Sequence, residues 1–180
     1  MYRRVPGLSL LTLFISSWTA APTSTNLVVT TTSPVTGTRG HQVTLPCWLS
    51  PQQNAEELEV RWYRTNRFDS PVMHYQSKKF KYEGSYVGRV SFGLKDAASG
   101  GLNSGDVSLK LLNVTIEDTG YYICLVSSSQ GYDRSPVNLL VTASGSPPFL
   151  SVVWGEDDKV NVSCESEGWY PQPVLRWSDK

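Results

Sequence analysis

The spacing of two cysteines around a tryptophan is the feature that most constrains the fold of this chain. Cys47 and Cys124 are 77 positions apart, and Trp62 lies 15 residues after the first of them. Tyr122 stands two residues before the second cysteine, in the run Asp-Thr-Gly-Tyr-Tyr-Ile-Cys. The surrounding sequence consists of short β-type runs broken by Gly, Ser, Pro and Asn, without a long segment of helical period. These patterns predict an all-β chain.

The Cys-Trp-Cys order with that tyrosine is typical of an immunoglobulin-like sandwich, in which a disulfide between the sheets packs on a buried tryptophan. It predicts a Cys47–Cys124 disulfide, with Trp62 and Tyr122 in the core and the Tyr122 hydroxyl bonded to the backbone at a strand corner. The distance between the cysteines leaves room for two extra edge strands, at 72–76 and 79–83. A variable-type rather than a constant-type domain is therefore expected.

Alternation along the strands then predicts a candidate partner face. If Trp62 and Tyr122 point inward, Tyr63, Ile123 and Leu125 point outward on two central strands of one sheet. Such an apolar exposed face marks a protein interface, and Tyr132, in the loop 127–133 at the end of that sheet, is a candidate contact beside it. The alternative is burial of this face by the chain's own first segment or loops.

Turn signals divide the chain into parts. The run Ala-Ser-Gly-Ser-Pro-Pro predicts a hinge at 143–148, between a variable-type domain at 26–142 and the start of a second, incomplete constant-type domain at 149–180. About 33 residues follow the hinge, too few to bury an independent core. The strands expected on either side lie at 26–32, 42–49, 58–65, 72–76, 87–92, 107–112, 120–126, 137–142, 149–154, 159–165 and 174–177.

The first 21 residues have the layout of a secretory signal peptide. Arg3 and Arg4 precede a mainly apolar run that ends in small residues. A buried N-terminal helix is the alternative, but Pro6 and Gly7 interrupt the run, and it is shorter than the roughly 18–20 residues of a membrane span. Secretion places the cysteines in an oxidising compartment. The sequons at Asn113 and Asn161 are then candidate glycosylation sites.

Composition and motifs argue against several function classes. The chain carries 16 basic and 16 acidic residues, so it has no basic surplus for a nucleic-acid backbone. No metalloprotease, nucleophile-elbow or phosphate-loop motif is present, and His41 and His74 have no carboxylate or cysteine at ligand spacing. The sequence therefore predicts a protein that is not an enzyme and has no cofactor or metal site.

Several segments resemble the butyrophilins, the butyrophilin-like proteins and myelin oligodendrocyte glycoprotein. They are residues 43–47 (Val-Thr-Leu-Pro-Cys), 59–63 (Glu-Val-Arg-Trp-Tyr), 88–90 (Gly-Arg-Val), 113–120 (Asn-Val-Thr-Ile-Glu-Asp-Thr-Gly) and 164–173 (Cys-Glu-Ser-Glu-Gly-Trp-Tyr-Pro-Gln-Pro). The resemblance covers roughly residues 26–180. It implies a variable-type domain followed by a constant-type domain.

The resemblance also implies roles for individual residues. Arg89 and Asp118 would form the ion pair that closes the bottom of the sandwich, and Tyr170-Pro171 is expected to be cis. Cys164 would be the first cysteine of the second domain and Trp177 its core tryptophan, which leaves Cys164 unpaired in this chain and its partner beyond Lys180. An intermolecular bridge through Cys164 is the alternative.

Function follows from the resemblance rather than from the spacing. A rearranged antigen receptor is disfavoured because the last strand lacks a Phe-Gly-x-Gly bulge and no Gln follows Trp62 closely. The resemblance implies a cell-surface immune regulator, anchored through a segment not present here, or a secreted product if the chain ends at Lys180. It would bind a protein counter-receptor on T cells or other immune cells and modulate T-cell receptor signalling and cytokine production. Homophilic adhesion through a homodimer is the alternative.

Overall fold

The computed structural model describes residues 27–156 and 159–178. The predicted signal peptide at 1–21 lies outside these residues. The described strands are β1 (Val28–Thr31), β2 (Val35–Thr38), β3 (Val43–Leu45), β4 (Cys47–Ser50), β5 (Glu59–Arg64), β6 (Met73–Gln76), β7 (Lys79–Tyr82), β8 (Val90–Phe92), β9 (Leu109–Leu111), β10 (Gly120–Ser128), β11 (Gly131–Thr142), β12 (Phe149–Trp154) and β13 (Val160–Glu165). The all-β prediction is confirmed.

Residues 28–142 form a sandwich of two layers. The front sheet has six strands in the order β2-β11-β10-β5-β6-β7, and only the β2–β11 pair is parallel. The back layer contains the sheet β3-β9-β8 and the pair β1-β4. The extra edge strands β6 and β7 lie close to the predicted segments, which makes the domain variable-type.

The core lies between the two layers and follows the predicted alternation. Val60 and Trp62 of β5 and Tyr122 and Cys124 of β10 are fully buried, as are the alternate residues of β9. The Trp62 indole N–H donates to the Val107 carbonyl at 2.9 Å. The largest side chain in the core is thus both packed and hydrogen-bonded, which avoids the cost of a buried unpaired donor.

Prolines decide where the strands differ from the sequence prediction. Pro46 cannot donate to a ladder and separates β3 from β4, where one strand over 42–49 was expected. At Pro34 the chain passes from β1 in the back layer to β2 in the front sheet. The sequence prediction had one strand here, at 26–32, and did not include β2. Strand β11 nevertheless runs through Pro136, because β2 pairs only with residues 139–142 and Pro136 lies on a free edge.

The second region is a two-stranded hairpin of β12 and β13. The prediction of a strand at 174–177 is wrong, because residues 172–178 do not form a strand. The assignment of Trp177 as a core residue is also not met, since its side chain is 66% exposed. A two-stranded sheet among the described residues offers no opposing layer under which a tryptophan of this kind could be buried.

The predicted hinge is tied to the second region over its first four residues. Ala143 and Tyr170 exchange two backbone hydrogen bonds of 2.8 and 3.0 Å, and the Ser146 amide donates to the Glu167 carbonyl at 2.8 Å. The Tyr170–Pro171 bond is cis, as expected. Small residues at 143–146 thus allow close backbone approach instead of supplying a free linker.

Candidate functional site

The disulfide holds the two layers of the sandwich together behind the front sheet. Cys47 of β4 and Cys124 of β10 are bonded, with their Cα atoms 6.6 Å apart. Trp62 lies opposite Cys124 in the register of β5 and β10. Cys164, half-buried on β13, forms no disulfide among the described residues. The central strands of the front sheet therefore rest on a cross-linked core.

An arginine–aspartate pair closes the lower end of the domain. Arg89 Nη2 lies 2.5 Å from Asp118 Oδ2, and the Asp118 side chain is almost completely buried. The same carboxylate oxygen accepts the Thr115 amide at 2.7 Å, at the start of the short 3-10 helix Ile116–Asp118. The predicted ion pair is present. It anchors the connection that leads into β10.

The predicted apolar face is largely covered. Tyr63 is only 4% exposed and Leu125 only 9%, so the expectation that both are exposed partner contacts is wrong. The Phe68 ring, from the connection between β5 and β6, packs edge-on against Tyr63 with ring centroids 5.2 Å apart. Arg134 donates to the Tyr63 hydroxyl at 3.4 Å. Burial by the chain's own loop, the alternative considered from the sequence, applies to Tyr63.

Leu125 is covered from its flanks. Its cross-strand neighbours are Arg61 on β5 and Arg134 on β11. The alkyl stems of such long side chains cover apolar surface while their charged ends stay in water. Ile123 is half-buried, and Tyr132 is 69% exposed. Of the four predicted contacts, Tyr132 is the one that stands fully open.

A polar network occupies the centre of the front sheet and was missed from the sequence. Glu59 Oε1 lies 2.8 Å from His74 Nε2 and accepts from Arg61 Nη2 at 2.9 Å, and Glu59 Oε2 accepts from Ser127 Oγ at 2.9 Å. Glu59 and His74 are 15 positions apart, so no local spacing in the sequence indicates that they are in contact. Strand parity alone places Glu59 and Arg61 on the outer face, and the pairing of Arg61 with His74 brings the imidazole to them.

The electrostatics of this network favour the ionised carboxylate. Partial burial of Glu59 opposes ionisation, but hydrogen bonds from Ser127, Arg61 and His74 outweigh it and hold the pKa of Glu59 below its ordinary value. Glu59 therefore stays charged at neutral pH. Its negative charge is shared among partners within the sheet, which leaves little of it to attract an outside cation.

The upper end of the front sheet contains an open groove of about 610 Å³. Its lining includes Leu27, Leu58 and Tyr132, together with the turn between β10 and β11. Asp133 Oδ2 accepts the Val29 amide at 2.7 Å and ties this turn to the first strand. Tyr132 lies at the start of β11, next to a two-residue turn. The loop expected at 127–133 is wrong, because β10 and β11 stay paired up to Ser128 and Gly131.

The remaining predicted sites are at the surface. Asn113 is exposed in a left-handed backbone conformation with φ of 47°, and Asn161 is exposed on β13. Across residues 27–156 and 159–178, no group of three or more His, Cys, Asp or Glu side chains is arranged to hold a metal ion. No helix within those ranges is long and apolar enough to cross a membrane.

Comparison with known proteins agrees with this geometry. Residues 30–142 match the family model of the immunoglobulin V-set domain. Residues 144–180 match the model described as the Ig-C domain of butyrophilin subfamily 3 member A2-like proteins. The crystal structure of bovine butyrophilin superposes with a TM-score of 0.73 at 29% identity, covering 82% of this chain and 69% of that one.

Relatives in sequence point the same way. Butyrophilin subfamily 2 member A2 of Mus musculus is 34% identical over 179 residues, covering 98% of this chain and 34% of its own length. Mouse selection and upkeep of intraepithelial T-cells protein 4 is 35% identical over 153 residues, covering 83% of this chain and 31% of its own length. The chain thus spans about a third of these relatives. It belongs to the butyrophilin and butyrophilin-like family of the immunoglobulin superfamily, with a V-set domain followed by a butyrophilin-type C2-set region.

Proposed function

We propose that the V-set domain is the recognition module of an extracellular immune regulator that binds a protein counter-receptor on T cells and modulates T-cell receptor signalling and cytokine output. The protein acts at the external side of the plasma membrane, anchored through a segment outside these residues, after entry into the secretory pathway. Family membership supports an extracellular immunoglobulin protein, and one relative is named for the selection and upkeep of intraepithelial T cells.

The outer face of the front sheet is the observation that carries the proposal. Phe68 packs on Tyr63 and contributes to the burial of that ring. Tyr121 is 55% exposed on β10, and Tyr132 is exposed at the end of the same sheet. Protein interfaces are enriched in tyrosine and combine it with polar groups, and the outer face of this sheet has both.

The test uses the whole chain, displayed as a fluorescent tetramer on resting and activated T cells. We expect staining of T cells, and we expect the double change Tyr121→Ala with Tyr132→Ala to abolish it. Val87→Ser is the matched control, because Val87 is equally exposed but lies between β7 and β8, away from the front sheet. Plate-bound protein should then change the cytokine output of T cells stimulated through their receptor.

Homophilic adhesion is the competing outcome of the same experiment. If the chain self-associates in sedimentation and clusters expressing cells while leaving T cells unstained, the counter-receptor proposal is wrong. If the double tyrosine variant stains as well as the wild type, the contact surface lies elsewhere on the domain.

A further inference from the structure

A row of basic side chains crosses the outer face of the front sheet. In register, Arg134 of β11 lies beside Leu125 of β10, and Leu125 lies beside Arg61 of β5. Arg61 pairs with His74 of β6, and His74 pairs with Lys81 of β7. With neighbouring strands about 4.8 Å apart, the row spans about 19 Å. We call Arg134, Arg61, His74 and Lys81, together with Lys79 two residues before Lys81, the basic row.

The basic row is not matched by acidic groups on the same face. Glu59 is the single carboxylate at an outward position of β5, β6, β7, β10 and β11, and it is engaged by Arg61, His74 and Ser127. Lys79, Lys81 and Arg134 are exposed and form no ion pair among the described residues. Three cations therefore stand in solvent on one face.

This excess is local and does not reflect the domain as a whole. Residues 28–142 contain eleven basic and ten acidic side chains, which is close to neutral. Several of the other charged side chains are paired, as in Arg89 with Asp118 and Arg67 with Glu83. The middle of the back layer carries one outward cation, Lys110 of β9. Positive potential is thus concentrated on the front sheet.

We propose that the basic row receives an acidic surface of a protein partner, whose carboxylates pair with Lys79, Lys81 and Arg134. This deepens the proposed function and rests on it. Like charges along the row repel one another, and an acidic partner relieves that repulsion while steering the encounter. The partner's carboxylates would meet long, exposed side chains that need no rearrangement of the sheet.

Neighbouring apolar groups favour a protein over a sulfated polysaccharide or an anionic membrane. Beside the row, Tyr121, half-buried Ile123 and exposed Pro136 form an apolar strip on β10 and β11. A protein interface combines an apolar centre with charged groups around it, whereas a polyanion needs the cations alone. The apolar strip and the basic row together therefore suit a protein partner, which can make apolar and charged contacts at once.

The experiment measures binding of the whole chain to activated T cells at several salt concentrations. The test variant is Lys79→Glu with Lys81→Glu and Arg134→Glu, and the charge-conserving variant is Lys79→Arg with Lys81→Arg and Arg134→Lys. Lys110→Glu on the back layer is the matched control for charge reversal. We expect the reversal to weaken binding at least about tenfold, with the other two variants near wild type. Wild-type binding should fall as salt rises.

Treatment of the cells separates the sources of negative charge. Digestion of surface proteins should remove the staining, whereas heparinase should leave it intact. Staining that disappears with heparinase overturns the proposal in favour of a sulfated glycan, and staining that survives protein digestion and heparinase alike overturns it in favour of lipid. If Arg134→Glu disturbs the fold through its contact with Tyr63, the pair Lys79→Glu and Lys81→Glu is used alone, since neither lysine side chain makes a hydrogen bond in the described residues.

The outcomes distinguish the two proposals. Wild-type staining that is unaffected by charge reversal overturns the acidic-partner inference and leaves the counter-receptor function standing. A wild-type chain that stains no T cells contradicts the proposed function, and the inference falls with it.

Discussion

The guanidinium of Arg64 donates to the Tyr122 hydroxyl at 3.0 Å and lies over the same ring, 4.7 Å from its centroid. The Tyr122 hydroxyl in turn donates to the Asp118 carbonyl at 2.9 Å, and Arg64 also donates to the Asp118 and Thr119 carbonyls. Arg64 thus joins the end of β5 to the corner before β10. The sequence predicted the tyrosine corner but not the arginine that completes it.

Removal of one oxygen tests this corner. We expect Tyr122→Phe to lower the free energy of unfolding by about 1–2 kcal/mol, because the Arg64 guanidinium and the Asp118 carbonyl each lose a partner in a largely buried site. Tyr121→Phe is the control, since Tyr121 is exposed on the same strand, and its effect should stay within about 0.5 kcal/mol. Urea unfolding of both variants makes the comparison. Equal effects would show that the corner contributes no more than a surface hydroxyl.

The disulfide provides a second prediction. Replacing Cys47 and Cys124 together by Ala should destabilise the V-set domain by about 4 kcal/mol, because the bond closes a long loop in the unfolded chain. Cys164→Ser removes a thiol of the second region and should leave unfolding of the V-set domain unchanged. Chemical denaturation followed by tryptophan fluorescence reports both. A double variant as stable as the wild type would contradict the entropic account.

The Glu59 network predicts that the thermal stability of the domain depends on pH in the acidic range. Because the pKa of Glu59 is lowered in the folded state, its contribution to stability is present above the ordinary carboxyl pKa and is lost as pH falls through the lowered value. Glu59→Gln should therefore flatten the loss of thermal stability below about pH 4.5. At neutral pH the cost should stay at about 1 kcal/mol, because the network lies on the solvent-facing side of the sheet, where its partly exposed side chains are still screened by water.

Glu57→Gln serves as the comparison for that experiment, since Glu57 pairs with Lys78 at a highly exposed position. Thermal melts of the three proteins between pH 3 and pH 7 are the measurement. If the two variants show the same pH profile, the partners of Glu59 do not shape its ionisation.

Close packing at the junction of the two regions gives a fourth prediction. An added Cβ at Gly145 would overlap the Glu167 carbonyl oxygen and the Trp169 indole. Gly145→Ala should therefore separate these segments and increase hydrogen exchange at the paired Ala143 and Tyr170 amides at least about tenfold. Gly84→Ala is the control, because nothing lies within 4 Å of its added Cβ. Unchanged protection at both amides would mean that the junction tolerates a side chain.

The two sequons yield a fifth prediction. Asn113 and Asn161 are both exposed, so a secretory host should attach a glycan to each. Asn113→Gln and Asn161→Gln should each lower the mass of the secreted chain by one glycan, as measured before and after enzymatic deglycosylation. A mass that does not respond to one of the changes would show that the corresponding site is not used.

The sequence by itself determined the fold class of this protein, its disulfide and much of its core. The order of Cys47, Trp62, Tyr122 and Cys124 specified the sandwich and its disulfide, and alternation along the strands placed Val60 in the core. These predictions held because they depend on local properties. Strand parity repeats every two residues, and a cysteine pair of this spacing suits only a few β architectures.

The tertiary structure alone decided what the front sheet presents. Parity places Tyr63 outward, but the loop carrying Phe68 covers it, and no periodicity reports the path of a loop. The basic row depends on the register of five strands that are separated in sequence by as much as 73 residues, from Arg61 to Arg134. Register comes from the packing of whole strands against one another. Which charges become neighbours, and which apolar side chains stay exposed, is therefore settled only when the sheet has formed.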